Sequence, residues 1–237
     1  MPDLHKGSLD VNEVKNPEAN NYKEIKPESG ITPGESKFFW DNTFDGEAEA
    51  KDQENEADET NAPENPHTET RDGETYYYDD NGKLYRVGNE LAPNSEYEIN
   101  RYKYKTDEKG RIVSAEGTLH LKNREGRLKI RDSIEDIGKG DQKEGDDRGH
   151  LIGDQFDGSN GLENMIPQDA DINEKDFRYF ENQLAEEVRS GKEVYVKVEP
   201  IYEGDSRRPV AIVVTYSIDG EESVRVFPNG KEEQIDG

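Results

Sequence analysis

The sequence predicts an α+β domain built on a mainly antiparallel sheet, carried behind a disordered acidic N-terminal extension. Three features lead there. From Tyr76 onward, short β-rich runs are separated by turn dipeptides, and a single amphipathic helical stripe interrupts them. Upstream, Asp45 to Asp72 carries acids throughout, has Lys51 and Arg71 as its only bases, and contains no large apolar residue. Such a stretch cannot bury enough surface to offset its ordering entropy.

The elements follow in chain order. TYYYDDNGKLYRV sets Asn81-Gly82 between two aromatic-rich strands, a strong hairpin signal. YKYKTDEKGRIVSAEGTLHL resembles it, with Lys109-Gly110 at its turn, and LHLKNREGRLKIRD predicts a third hairpin turning near Glu125-Gly126. Ile172, Phe177, Phe180, Leu184 and Val188 fall close to one stripe at helical spacing. Asp171 or Asn173 can cap that helix at its start, and Gly191 at its end. Val194, Val196 and Val198 then alternate onto one strand face, and the last run closes with a hairpin at Asp219-Gly220.

The division this implies is a tail over 1–44, a flexible acidic linker over 45–72 and a folded domain over 73–237. Phe38, Phe39, Trp40 and Phe44 form an aromatic cluster in the tail, either a short docking helix or a locally ordered segment. Cysteine is absent, which excludes disulfides, thiolate metal sites and cysteine nucleophiles, so any metal must be held by oxygen or imidazole. Met1 to Asn20 has neither an apolar core nor a small-residue cleavage site, and no later stretch reaches the length of a membrane span. The expectation is a protein without membrane association which, if exported, uses no cleaved signal peptide.

The chemistry concentrates in DDRGHLIGDQFDGSNGLENMIPQDADINEKDFRYFE, Asp146 to Glu181. A histidine stands two residues after an arginine, followed by a loop of glycines and amides and then by a helix whose start offers an asparagine oxygen. Phosphodiester hydrolysis needs a base for water, a cation for the developing charge on the leaving oxygen, and a donor for the non-bridging oxygens. These residue types can supply all three.

Four ordered pieces, Asp147-Arg148-Gly149-His150, Asn164-Met165-Ile166-Pro167-Gln168, Asp171-Ile172-Asn173 and Glu181, resemble the DNA/RNA non-specific endonucleases of the ββα-metal (His-Me finger) class. The resemblance covers roughly Tyr97 to Pro228. Within the family the sequence is most similar to C-terminal nuclease domains of bacterial polymorphic toxins, including those exported by type VII secretion. The Pro200-Ile201-Tyr202 strand and the Arg208-Pro209 turn add to that likeness. The resemblance implies a ββα-metal motif and a secreted toxin domain that hydrolyses DNA and RNA with Mg²⁺, or Mn²⁺, and that has an immunity protein as a partner. It implies His150 as general base, Asn173 as metal ligand and Arg148 as a contact to the scissile phosphate. Glu181 and Asn164 are expected behind these, Glu181 meeting the metal through water and Asn164 orienting the histidine or the phosphate. On a regular helix Glu181 lies about 12 Å and about 80° from Asn173, so it can assist only by pointing back toward the helix start. A scavenging nuclease of the same chemistry, or a binding module that keeps the fold with little catalysis, are the alternatives.

A formal charge of −25 opposes a polyanionic substrate, but Met1 to Asp72 holds 19 acids against 7 bases, which leaves −13 for the rest. Lys122, Arg124, Arg127, Lys129 and Arg131 crowd one stretch with only Glu125 among them. A basic ridge there could hold a phosphate backbone, because exposed charges are screened beyond about 8 Å at physiological salt. His5, His67 and His120 are expected to be ordinary residues, with His120 on the solvated face of its strand.

Overall fold

The computed structural model describes residues 67–230. The tail over 1–44 with its aromatic cluster, His5, and the linker up to residue 66 lie outside the described residues. The last residues of the stretch read as linker form a strand instead. β1 (His67–Arg71) pairs antiparallel with β2 (Glu74–Tyr78) across Asp72-Gly73, whose φ angles of 51° and 86° are those of a tight hairpin turn.

β2, β3 (Leu84–Val87) and β4 (Glu90–Leu91) extend β1 into a four-stranded sheet. β5 (Glu96–Ile99), β6 (Tyr102–Thr106), β7 (Ile112–Thr118), β10 (Val194–Ile201), β11 (Ala211–Ile218) and β12 (Glu221–Pro228) make a six-stranded sheet in the order β12-β11-β10-β7-β6-β5. β8 (Asp146–His150) and β9 (Met165–Asp169) form a separate ribbon, and all the pairings are antiparallel. With the α-helices and short helical turns that accompany the sheets among the described residues, this is an α+β architecture.

The resemblance between the first two hairpins is structural. Asp79 Oδ1 accepts from the amides of Asn81 (2.9 Å) and Lys83 (2.8 Å), and Asp107 Oδ1 accepts from those of Lys109 and Arg111, both at 2.9 Å. Gly82 and Gly110 close the two turns at φ 76° and 69°. Behind them, the stacked rings of Tyr85, Tyr97 and Tyr104 join the two sheets. Val194, Val196 and Val198 all face the core, as their alternation requires.

The helix begins near Ala170, passes through a π-helical turn at Ile172–Phe177 and continues as α2 (Arg178–Arg189). It is held to the six-stranded sheet by Phe177 and Phe180, which pack against Phe227 and Tyr216 at centroid distances of 5.0–5.6 Å. Gly191, at φ 88°, ends it as expected. The start is different. Asp169 Oδ1 accepts from the amides of Asp171 and Ile172, so neither Asp171 nor Asn173 caps the helix.

The expected third hairpin is absent. Lys122 to Asp132 is an irregular loop leading to α1 (Ile134–Gly138). The cause is Asp154, which draws in the Lys122 ammonium, the Arg124 guanidinium (2.6 Å) and the Leu128 amide (3.1 Å). These bonds tie the segment to the loop after His150 rather than to a partner strand. His120 also departs from its solvated expectation: it is half-buried, stacked on Tyr102 and 3.2 Å from that hydroxyl, and burial, then the Arg101 charge, lowers its pKa.

Candidate active site

β8, the loops over 127–130 and 153–155 and the helix that follows β9 line a cleft of about 660 Å³, and Arg148, His150, Asn173 and Glu181 are all among its lining residues. Arg148 and His150 share a face of β8 because they are two residues apart. Gly149 lies between them, where a Cβ would come within 2.1 Å of Gln168 Oε1 on β9. The ribbon can close only over glycine at that position.

Asn173 is spared from capping, and its Nδ2 donates to Asp147 Oδ2 at 3.0 Å. That bond leaves the amide's carbonyl oxygen as its remaining acceptor. The π-helical turn then decides the position of Glu181. A π turn advances fewer degrees per residue than an α turn, so it removes part of the 80° offset that a regular helix would impose. Glu181 reaches Gly153, where a Cβ would lie 2.2 Å from Glu181 Oε1, so the glycine leaves room for the carboxylate in this position.

The electrostatics are those of a desolvated site. Burial, then the Arg127 charge, holds the His150 pKa down at about 4, against the opposing pull of Asp154, so the imidazole is neutral at pH 7. Burial pushes Glu181 up to about 7, although Arg127, Gln155 and the Gly153 amide oppose the shift. Burial would also raise Asp154, but bonds from Lys122, Arg124 and the Leu128 amide outweigh it and hold that carboxyl at about 2.

The structure divides the basic ridge. Lys122 and Arg124 are committed to Asp154, and Arg131 is paired with buried Glu163 at 3.4 Å, outside the cleft lining. Arg127 and Lys129 line the cleft, and Arg178 joins them from the helix. With Arg148, four bases there face the four acids Asp147, Asp154, Glu174 and Glu181. The cleft therefore does not carry the strong negative charge of the chain as a whole.

Asn164 is fully buried and does not line the cleft. Its Oδ1 accepts from the Ile152 amide at 2.9 Å, and its Nδ2 donates to the carbonyls of Ile152 and Ser159, both at 2.8 Å. It holds the loop that follows His150, and its side-chain hydrogen bonds go to that loop rather than to the imidazole. Sequence reasoning assigned no role to Asp147, Asp154 or Arg178, and none to the anchor of the ribbon. Arg208, in the turn before β11, grips Asp146 at the start of β8 with two hydrogen bonds of 2.7 and 2.8 Å. In the sequence the Arg208-Pro209 turn added to the family likeness, but nothing there paired Arg208 with Asp146.

Among the described residues no three His, Asp or Glu side chains converge as a metal cage, and no helix is long and apolar enough to cross a membrane. A cation here would rely on Asn173, on water and on Glu181 beyond the water. Such an oxygen-only set suits a hard ion.

The DNA/RNA non-specific endonuclease family matches residues 93–220, and the chain belongs to that family. The class of protein this defines is a nuclease. Among individual proteins, it is 37% identical over 133 residues to Type VII secretion system protein EssD of Staphylococcus aureus strains USA300 and NCTC 8325 / PS 47, and to the corresponding protein of strain Newman. The match covers 53% of this chain and 21% of the length of those relatives.

Proposed function

We propose that the domain is a metal-dependent endonuclease that hydrolyses DNA and RNA with little sequence preference and acts as a toxin exported by the type VII route. The observation that carries the chemistry is the convergence of a neutral buried imidazole, an arginine and an oriented amide oxygen on one cleft. We read β8, β9 and the helix after them as a ββα-metal motif. The export route rests on the similarity to a type VII secretion system protein, and the toxin role and an immunity partner rest on the resemblance of the sequence motifs to polymorphic-toxin nuclease domains.

His150, uncharged in its desolvated setting, accepts the proton of the attacking water. Arg148 donates to the non-bridging oxygens of the scissile phosphate, and Arg127 and Lys129 hold the flanking backbone. Asn173 would hold Mg²⁺ through its carbonyl oxygen, with Glu181 orienting water around the ion. When bound, the ion supplies charge neutralisation at the departing 3′ oxygen, which leaves 5′-phosphate ends. Activation of water requires no ribose 2′-hydroxyl, and contacts to phosphate position a substrate without reading its bases.

Incubating the full chain with plasmid DNA and with RNA, in Mg²⁺ and in EDTA, tests this reading. Cleavage of both polymers in Mg²⁺ only is expected, with His150→Ala melting like the wild type and cutting more slowly by orders of magnitude. Metal-independent cleavage, 3′-phosphate ends, or a fully active His150→Ala would refute it.

A further inference from the structure

We propose that Arg86, on β3 and outside the family-matched stretch, is a positioning residue that sets Arg148 through Asp132. The proposal rests on the reading of Arg148 as a phosphate contact. Arg86 is 2% exposed, and both terminal nitrogens of its guanidinium donate to the Asp132 carboxylate, one of them at 2.9 Å. Its Nε donates to the Gly88 carbonyl at 2.7 Å, and the Tyr77 ring lies 4.4 Å from the guanidinium carbon. A second buried carboxylate, Glu163, stands 3.7 Å away, with an oxygen that has no hydrogen-bond partner. Arg86 thus faces two buried acids, one of them shared with Arg131, and the planar fork leaves Asp132 a single comfortable orientation.

The consequence passes through the backbone. The main-chain oxygen of Asp132 accepts from Arg148 Nη1 at 3.1 Å. Arg148 is exposed at the cleft, and a long side chain there needs a fixed point if its guanidinium is to meet a phosphate in one geometry. Asp132 belongs to an irregular loop, so no strand ladder holds its carbonyl; the Arg86 fork, with the Arg131 amide bonded to Asn160, does so instead. The turn after β3 reinforces the grip, with Asn89 Nδ2 donating to Asp136 (2.6 Å) and Lys139 donating to the Asn89 carbonyl (2.8 Å). The four-stranded sheet is therefore part of the catalytic apparatus rather than an appendage to it.

The test is a double-mutant cycle on the full chain, with Arg86→Lys and Arg148→Ala singly and together, and with Asp132→Asn as an independent break of the same link. Arg86→Lys keeps the charge between the two carboxylates while losing the fork, which favours retention of the fold, and melting curves check this. The expected result is a fall in kcat on the order of 10- to 100-fold with little change in KM. The Arg86→Lys, Arg148→Ala double variant should cut no more slowly than Arg148→Ala alone. Equal factors in both backgrounds, or an unchanged kcat in Arg86→Lys, would overturn the proposal. Binding of a fluorescent 12-base-pair DNA duplex in EDTA is read in parallel. If the wild type cuts neither DNA nor RNA, the nuclease reading fails; non-additive loss of duplex binding then still supports the link between Arg86 and Arg148, and additive or absent loss overturns it.

Discussion

Arg208→Ala should be among the most damaging single substitutions outside the cleft lining. The Arg208 and Asp146 side chains are 7% and 2% exposed. The guanidinium makes two hydrogen bonds to the carboxylate and a third, of 2.7 Å, to the Asn229 carbonyl. Truncation leaves the buried Asp146 carboxyl without its cation, which costs about 3–5 kcal/mol. For a domain of this size that is a drop in melting temperature of roughly 6–20 °C. Asp146 opens β8, and Asn229 ties the same region to Pro167 and Asp169 on β9, so the ribbon that presents Arg148 and His150 loosens first. Differential scanning calorimetry in EDTA measures the loss, and cleavage assayed well below the new midpoint should also fall. Pairing Arg208→Met with Asp146→Asn removes the stranded charge and should recover most of the stability. A shift of less than about 2 °C in the single variant, or a double variant no better than the single, would refute the reasoning.

Three further outcomes are expected. Folded His150 at about 4, against about 6.5 unfolded, contributes stability above pH 6.5 that is lost as pH falls toward 4, while Glu181, raised from 4.5 to about 7, contributes stability below 4.5 that is lost as pH rises through 7. Each is worth on the order of 3 kcal/mol, so the two nearly cancel in the wild type. Glu181→Gln should therefore melt at steeply rising temperature between pH 4.5 and 6.5 in EDTA, and a pH response identical to that of the wild type would count against both assignments. Asn173→Ala should raise the Mg²⁺ concentration needed for half-maximal cleavage, and Asp147→Asn should do so more weakly by releasing the Asn173 amide; normal cleavage by Asn173→Ala in limiting Mg²⁺ would remove it as a ligand. Deleting residues 1–66 should leave the melting transition in place and speed association with DNA at low salt, which stopped-flow fluorescence would detect; an unchanged rate would show that this acidic stretch does not repel substrate.

Much of this protein is local, and what is local was legible. Asn81-Gly82, Lys109-Gly110 and Asp219-Gly220 act through the φ angles their own residues permit, and alternation at Val194, Val196 and Val198 needs only a sheet with one buried face. The four-piece motif was equally readable, because Arg148 and His150 share a face through strand periodicity and Asn173 follows at the start of the next helix. Asp72-Gly73 carried a turn signal too, but His67–Arg71 has no apolar alternation and is a strand only because β2 is there to pair with it.

What tertiary structure alone decided depends on charges brought together from distant positions. The basic stretch after Leu121 has a hairpin sequence, and Asp154, some thirty residues further on, converts it to a loop by binding its cations and one of its amides. Asp169 took the cap and so released Asn173 to Asp147, and a π turn that helical periodicity cannot announce brought Glu181 into the cleft. The Arg208 to Asp146 and Arg86 to Asp132 pairs span 62 and 46 residues. Ion pairs at such separations leave no period in a sequence, because Coulomb attraction depends on distance in space and burial strengthens it only after the chain has folded.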